Sequence, residues 1–233
     1  MTEEAPPAAL PRWALGAAAI GWVSGMVCGG VLLGFWVVAT GQDTMALGSL
    51  GVAQLGFWLG LLGAVVVTSR RGGTGRVVRD FGLRFRPSDL PLGAGLGVVT
   101  QLLVVPLIYF PFRSVIDKAD LERPARQLTD RAHGPGFLVF ALVIAVGAPI
   151  VEELFYRGLL LRSLQRYVAD GPAVVVSGLV FGGSHLELLQ LPALVLVGVL
   201  LAVLVIRTGR LGPAIWCHVA FNTVTVVALA LER

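Results

Sequence analysis

Polar residues in this chain are gathered into short stretches, and between them run apolar segments too long for the helices of a soluble domain. A helix that crosses a bilayer needs about 20 consecutive apolar residues. Segments at residues 13–39, 45–68, about 90–112, from near Phe137 onward, 172–188, 189–206 and 211–231 approach or exceed that length. The pattern therefore predicts an all-α fold, a polytopic transmembrane helix bundle of about seven spans. Trp13 and Trp36 stand near the ends of the first span as interfacial anchors. Gly21, Gly25 and Gly29 recur at four-residue spacing, as do Gly56 and Gly60 in the second, which suits close helix contact. Pro106 interrupts the third span. The fourth is expected to continue through Arg162 and Arg166 to the break at Asp170-Gly171-Pro172. The fifth, which contains His185, is short and polar for a span. With no repeat or linker, residues 1–233 read as a single integral membrane domain, its chemistry in a core at about 136–231.

Charge orients this bundle. The turn Gly41-Gln42-Asp43-Thr44 has no basic residue, whereas Ser69–Asp89 carries Arg70, Arg71, Arg76, Arg79, Arg84 and Arg86. Basic loops stay cytoplasmic. Arg162, Arg166, Arg207 and Arg210 fall on the same side, so the N-terminus is placed in the cytoplasm. The segment Arg113–His133, with charges that nearly cancel, reads as an amphipathic or irregular loop on the opposite face. A chain 56% hydrophobic and 14% charged, with mean hydropathy +0.83, is too apolar for a soluble domain. Its net charge of +4 argues for no nucleic-acid partner, because in a membrane protein the distribution among loops decides more than the total. Cys28 and Cys217 lie in apolar segments and read as small hydrophobes, without a disulfide or Cys-based metal site. The first span is too long for a signal-peptide core and is read as retained.

Against this background, Ala148-Pro149-Ile150-Val151-Glu152-Glu153-Leu154-Phe155-Tyr156-Arg157-Gly158 is the least expected stretch. A charge at the centre of a membrane helix costs about 2.5–3.5 kcal/mol on insertion scales, so such groups mark function. Glu153 and Arg157 stand at i, i+4 on one helix face and can pair, which leaves Glu152 as the carboxylate without a partner. Pro149 lacks a backbone donor and should loosen the helix one turn earlier. Further along, Phe181 precedes His185 by one turn, and His218 precedes Asn222 by one turn, so that each pair shares a helix face. Hydrolysis of an amide by water needs a base, donors for the oxyanion and a proton for the leaving amine. A Glu, two His and an Asn supply all of these. Ser184 beside His185, and Cys217 beside His218, are not catalytic dyads, since adjacent helix positions diverge by about 100°. His133 sits in a polar loop and reads as solvated.

Glu152-Glu153-x-x-x-Arg157, Phe181-x-x-x-His185 and His218-x-x-x-Asn222, in that order, resemble the motif set of the CPBP family. That family comprises intramembrane CAAX-type prenyl endopeptidases and bacteriocin-processing or immunity relatives. The resemblance covers about Pro149 to Asn222. It implies a helical membrane endopeptidase with its site inside the bilayer, open toward the cytoplasm, and a membrane-associated peptide or protein as substrate. Carried over by position, Glu152 corresponds to the water-activating carboxylate, and His185 to a partner in water activation or transition-state binding. His218 with Asn222 makes up the rest of the site, and Glu153 with Arg157 the pair that orders the helix. A bacterial cell membrane is the expected location. Glu152, His185 and His218 could form a His2Glu zinc site. The zincin pattern is absent, however, and a carboxylate in a poorly solvated site can activate water unaided, so no cofactor is required. Two other classes share these residues: a non-catalytic immunity or scaffold protein, and a proton-coupled carrier, for which matched broken helices are lacking.

Overall fold

Glycines decide which helices touch. In the computed structural model, which describes residues 10–11 and 13–232, α1 (Ala14–Thr40) and α2 (Leu47–Gly72) lie so close that a Cβ added to Gly60 would strike the backbone of Gly25. Gly21 meets Ala64 and Gly29 meets Ala53 on the same seam, as the four-residue spacing predicts. A second seam joins α3 (Asp89–Phe112) to α8 (Gly212–Leu231), where Gly93 and Gly97 press on the backbone of Pro213 and Cys217. A third joins α6 (Asp170–Gly183) to α7 (Leu191–Thr208) through Gly178, Gly182 and Gly198. The long helix α5 (Pro135–Leu164) runs among these pairs and contacts α1, α2, α6, α7 and α8. The buried core follows it, from Val151 and Phe155 through Leu159 and Leu161 to Phe181, Leu201 and Leu211.

Six helices, α1, α2, α3, α5, α7 and α8, are long and apolar enough to cross a membrane, and no strand occurs among the described residues. The all-α polytopic bundle is therefore present. The fifth expected span is shorter than expected: α6 has 14 residues. At 1.5 Å per residue it reaches about 21 Å, against about 30 Å of hydrocarbon. His185 accordingly lies in the turn that follows α6 and not within a span. The fourth span also stops early, at Leu164, and leaves Arg166 in a turn. Between α3 and α5, the mixed-charge segment forms an amphipathic helix, α4 (Lys118–Arg131), with Pro124 inside it. Its Lys118 and Arg126 hold Glu232 beyond the end of α8. The extreme N-terminus, placed in the cytoplasm above, lies outside the described residues.

Two buried aspartates tie the connections together. Asp80 accepts from Ser69 Oγ at 2.5 Å, from Thr74 Oγ1 at 2.7 Å and from the Thr74 N–H at 3.0 Å, closing the loop after α2. Asp89, at the start of α3, receives the Arg210 guanidinium through Nε at 3.0 Å and Nη2 at 2.5 Å. Arg210 lies just before α8, so this bidentate pair sets the start of α8 against the start of α3.

Candidate active site

Pro149 begins the local geometry. Just before it, at Val143–Gly147, α5 widens into a π turn in which the Ala148 N–H donates to Val143 O, five residues back. In that register the Ile144 carbonyl would look to the N–H of residue 149, and proline has none. Asn222 Nδ2, from α8, donates to Ile144 O at 3.0 Å instead. The motif asparagine thus satisfies the carbonyl that the proline strands.

A second π stretch, Glu153–Leu161, carries the charges, and all nine of its side chains are buried. Glu153 and Arg157 are both wholly inaccessible, and Arg157 Nη1 donates to Glu153 Oε1 at 2.9 Å. Arg157 Nη2 donates to Gly198 O at 3.0 Å, while its guanidinium lies 4.3 Å from the centre of the Phe181 ring. Gly198 leaves the space for this, since a Cβ there would run into Gly178 and Phe181. The same Glu153 Oε1 also meets His218 Nδ1 at 2.9 Å, a contact that local spacing does not reveal. A carboxylate oxygen accepts, so His218 donates from Nδ1, and the neutral ring then presents a lone pair at Nε2. That Nε2 lies 3.9 Å from Glu152 Oε2. Glu152, with a side chain 14% exposed, is the more open of the two acids.

His185 stands in the turn after α6, its Nδ1 2.8 Å from Phe181 O and its ring 4.8 Å from the Phe181 ring. The His218 ring lies 5.6 Å from that same phenyl. Phe181 therefore touches both imidazoles and lies under the arginine. His218 and Asn222 share a face of α8 but bond different partners. His218 turns to the carboxylates, whereas the Asn222 amide is bonded one turn away at Ile144 O. Tyr156 is a further participant that sequence reasoning passed over. Its hydroxyl donates to Ser184 Oγ at 2.8 Å.

Residues 134–224 match the family model described as type II CAAX prenyl endopeptidase Rce1-like. This stretch of the chain is similar to Rce1-like endopeptidases. The match agrees with the CPBP resemblance and encloses all six site residues, Glu152 to Asn222. No curated protein and no solved structure matches the chain. Six long apolar helices and this match to a membrane-protease family support an integral membrane protein. Among the described residues, no three His, Cys, Asp or Glu side chains gather closely enough to hold a metal ion.

Proposed function

We propose that the protein hydrolyses a peptide bond in a membrane-associated protein or peptide, with Glu152 as the base. The observation that carries this reading is the 3.9 Å separation of Glu152 Oε2 and His218 Nε2, which the tautomer set by Glu153 makes two acceptors facing each other. A water lying off the line between them reaches both at ordinary hydrogen-bond length, one hydrogen to each. Its oxygen lone pairs then point away from the acceptors, toward a substrate carbonyl. As the water oxygen bonds to the carbonyl carbon, its proton passes to Glu152. When the C–N bond breaks, Glu152 returns that proton to the leaving amine. Glu153 Oε1 accepts from Arg157 and from His218 Nδ1, and so keeps His218 in the tautomer that accepts at Nε2. Asn222 Nδ2 has two hydrogens, of which one is used on Ile144 O; the other is a donor for the oxyanion. His185, with Nδ1 on Phe181 O, contributes Nε2 to the water or to the transition state. No step passes through a metal.

The test compares wild type with Glu152→Gln, purified into liposomes with membrane-peptide substrates, with products read by mass spectrometry. Removing a general base is expected to lower the rate about 10²–10⁴-fold. Wild-type turnover in Glu152→Gln would sink the assignment. Loss of activity to a chelator, restored by zinc, would replace the metal-free route. If the wild-type protein cleaves nothing, the immunity or scaffold reading takes over.

A further inference from the structure

Where α6 ends, the Phe181 carbonyl loses its backbone donor. The His185 N–H, which would reach it in a continuing helix, bonds Gly182 O at 3.3 Å, and the Leu186 N–H bonds Gly183 O at 3.2 Å. The last turn has tightened, as helix ends commonly do, and Phe181 O is left to side chains. It accepts from Ser184 Oγ at 2.7 Å and from His185 Nδ1 at 2.8 Å. A carbonyl oxygen only accepts, so Nδ1 carries the proton and Nε2 is the open lone pair. The position of Nε2 is therefore the position of this turn.

The turn does not hold itself. Leu186 has φ 58°, in the left-handed region that a leucine side chain disfavours, so its surroundings impose the conformation. At the far end, Tyr109 OH donates to Leu189 O at 2.7 Å and Gln190 Nε2 donates to Leu121 O at 2.7 Å. At the near end, Tyr156 OH donates to Ser184 Oγ at 2.8 Å, and Ser184 passes its own hydrogen on to Phe181 O. Of these anchors only Tyr156 belongs to α5. It is buried, lies three positions after Glu153 and meets the Phe181 ring edge-on at 5.3 Å.

We infer that Tyr156 and Ser184 are positioning residues for His185: their hydrogen bond ties the turn after α6 to the helix that carries Glu152, and so fixes where His185 Nε2 stands. The kinetic consequence rests on the proteolytic reading, whereas the structural one does not.

Tyr156→Phe keeps the ring and its edge contacts but deletes the donor. Ser184→Ala deletes the acceptor, and Ser184→Thr retains a hydroxyl. Amide hydrogen exchange at residues 185–187 of the purified full chain is expected to rise roughly fivefold in Tyr156→Phe and in Ser184→Ala. The double variant should rise no further, since one bond is shared, and Ser184→Thr should restore slow exchange. In the liposome assay, kcat is expected to fall about tenfold at unchanged KM in the same variants. Unchanged exchange in both single variants overturns the inference whatever the activity. Faster exchange with an unchanged kcat overturns the positioning role. A wild-type protein without proteolytic activity overturns the proteolytic reading, and the exchange measurement then decides the tether by itself.

Discussion

One imidazole stands between two acids: His218 gives Nδ1 to Glu153 at 2.9 Å and turns Nε2 toward Glu152 at 3.9 Å. This division predicts different fates for the two carboxamide variants. Glu153→Gln leaves a wholly buried arginine without its counter-ion, and breaking such a pair costs about 3–5 kcal/mol. Glu153→Gln and Arg157→Leu are each expected to lower the melting temperature in detergent, whereas Glu152→Gln yields stable, inactive protein. The double change Glu153→Gln/Arg157→Leu should recover only part of the loss, because His218 still lacks its carboxylate partner. A stable but inactive Glu153→Gln would transfer the role of base to Glu153. The Glu153–Arg157 pair was legible from i, i+4 spacing. His218's claim on Glu153 was not, since it spans 65 positions in sequence.

Among the helices, α5 shows how a break becomes a contact between elements. Pro149 was expected to loosen the helix, and the π turn at Val143–Gly147 lies just before it. What spacing alone does not reveal is that the stranded Ile144 carbonyl would be taken up by Asn222 from α8. Asn222→Ala is therefore expected to cost about 1–3 kcal/mol for an unsatisfied carbonyl in an apolar setting. Pro149→Ala in that background returns an N–H at residue 149 and should recover part of the loss. A thermal unfolding series over the four combinations measures it, and strictly additive changes would refute the link. Seams between helices were partly legible. Gly21, Gly25, Gly29, Gly56 and Gly60 announced the α1–α2 contact by their spacing, and Gly93 and Gly97, which form the α3–α8 contact, show the same four-residue step. Spacing marks a face suited to close approach, but not the partner that will occupy it.

Across the whole molecule, orientation and loop stability are open to direct measurement. We expect the Arg-rich loop after α2 in the cytoplasm and α4 on the other face. With Cys28 and Cys217 replaced by alanine, an impermeant thiol reagent on intact cells should label Ala119→Cys and not Val78→Cys, and the reverse result would invert the bundle. The Asp80 loop adds a pH dependence. Burial would raise the Asp80 carboxyl, but hydrogen bonds from Ser69, Thr74 and the Arg76 backbone hold it below its ordinary value of 3.8. A group depressed in the folded state stabilises above its ordinary value, and that contribution fades as pH falls through the folded one. Protection of the amides at residues 73–80 against hydrogen exchange, taken relative to the intrinsic rate at each pH from about 6 down to about 3, should fall at the acid end, and Asp80→Asn should remove the dependence. Sequence by itself determined that this chain is an all-α bundle of long apolar helices, where five of those helices begin and end to within a few residues, and which six polar side chains are candidates for the site. Those properties follow from hydropathy, from the cost of burying charge in hydrocarbon and from motif order, all of which are local. Only the tertiary structure decided that α6 stops short of a span, that His185 sits in a strained turn, and that Glu153 serves both Arg157 and His218. Each of these depends on which helix faces which, and that is settled by side-chain volume and by hydrogen bonds between segments far apart in the chain.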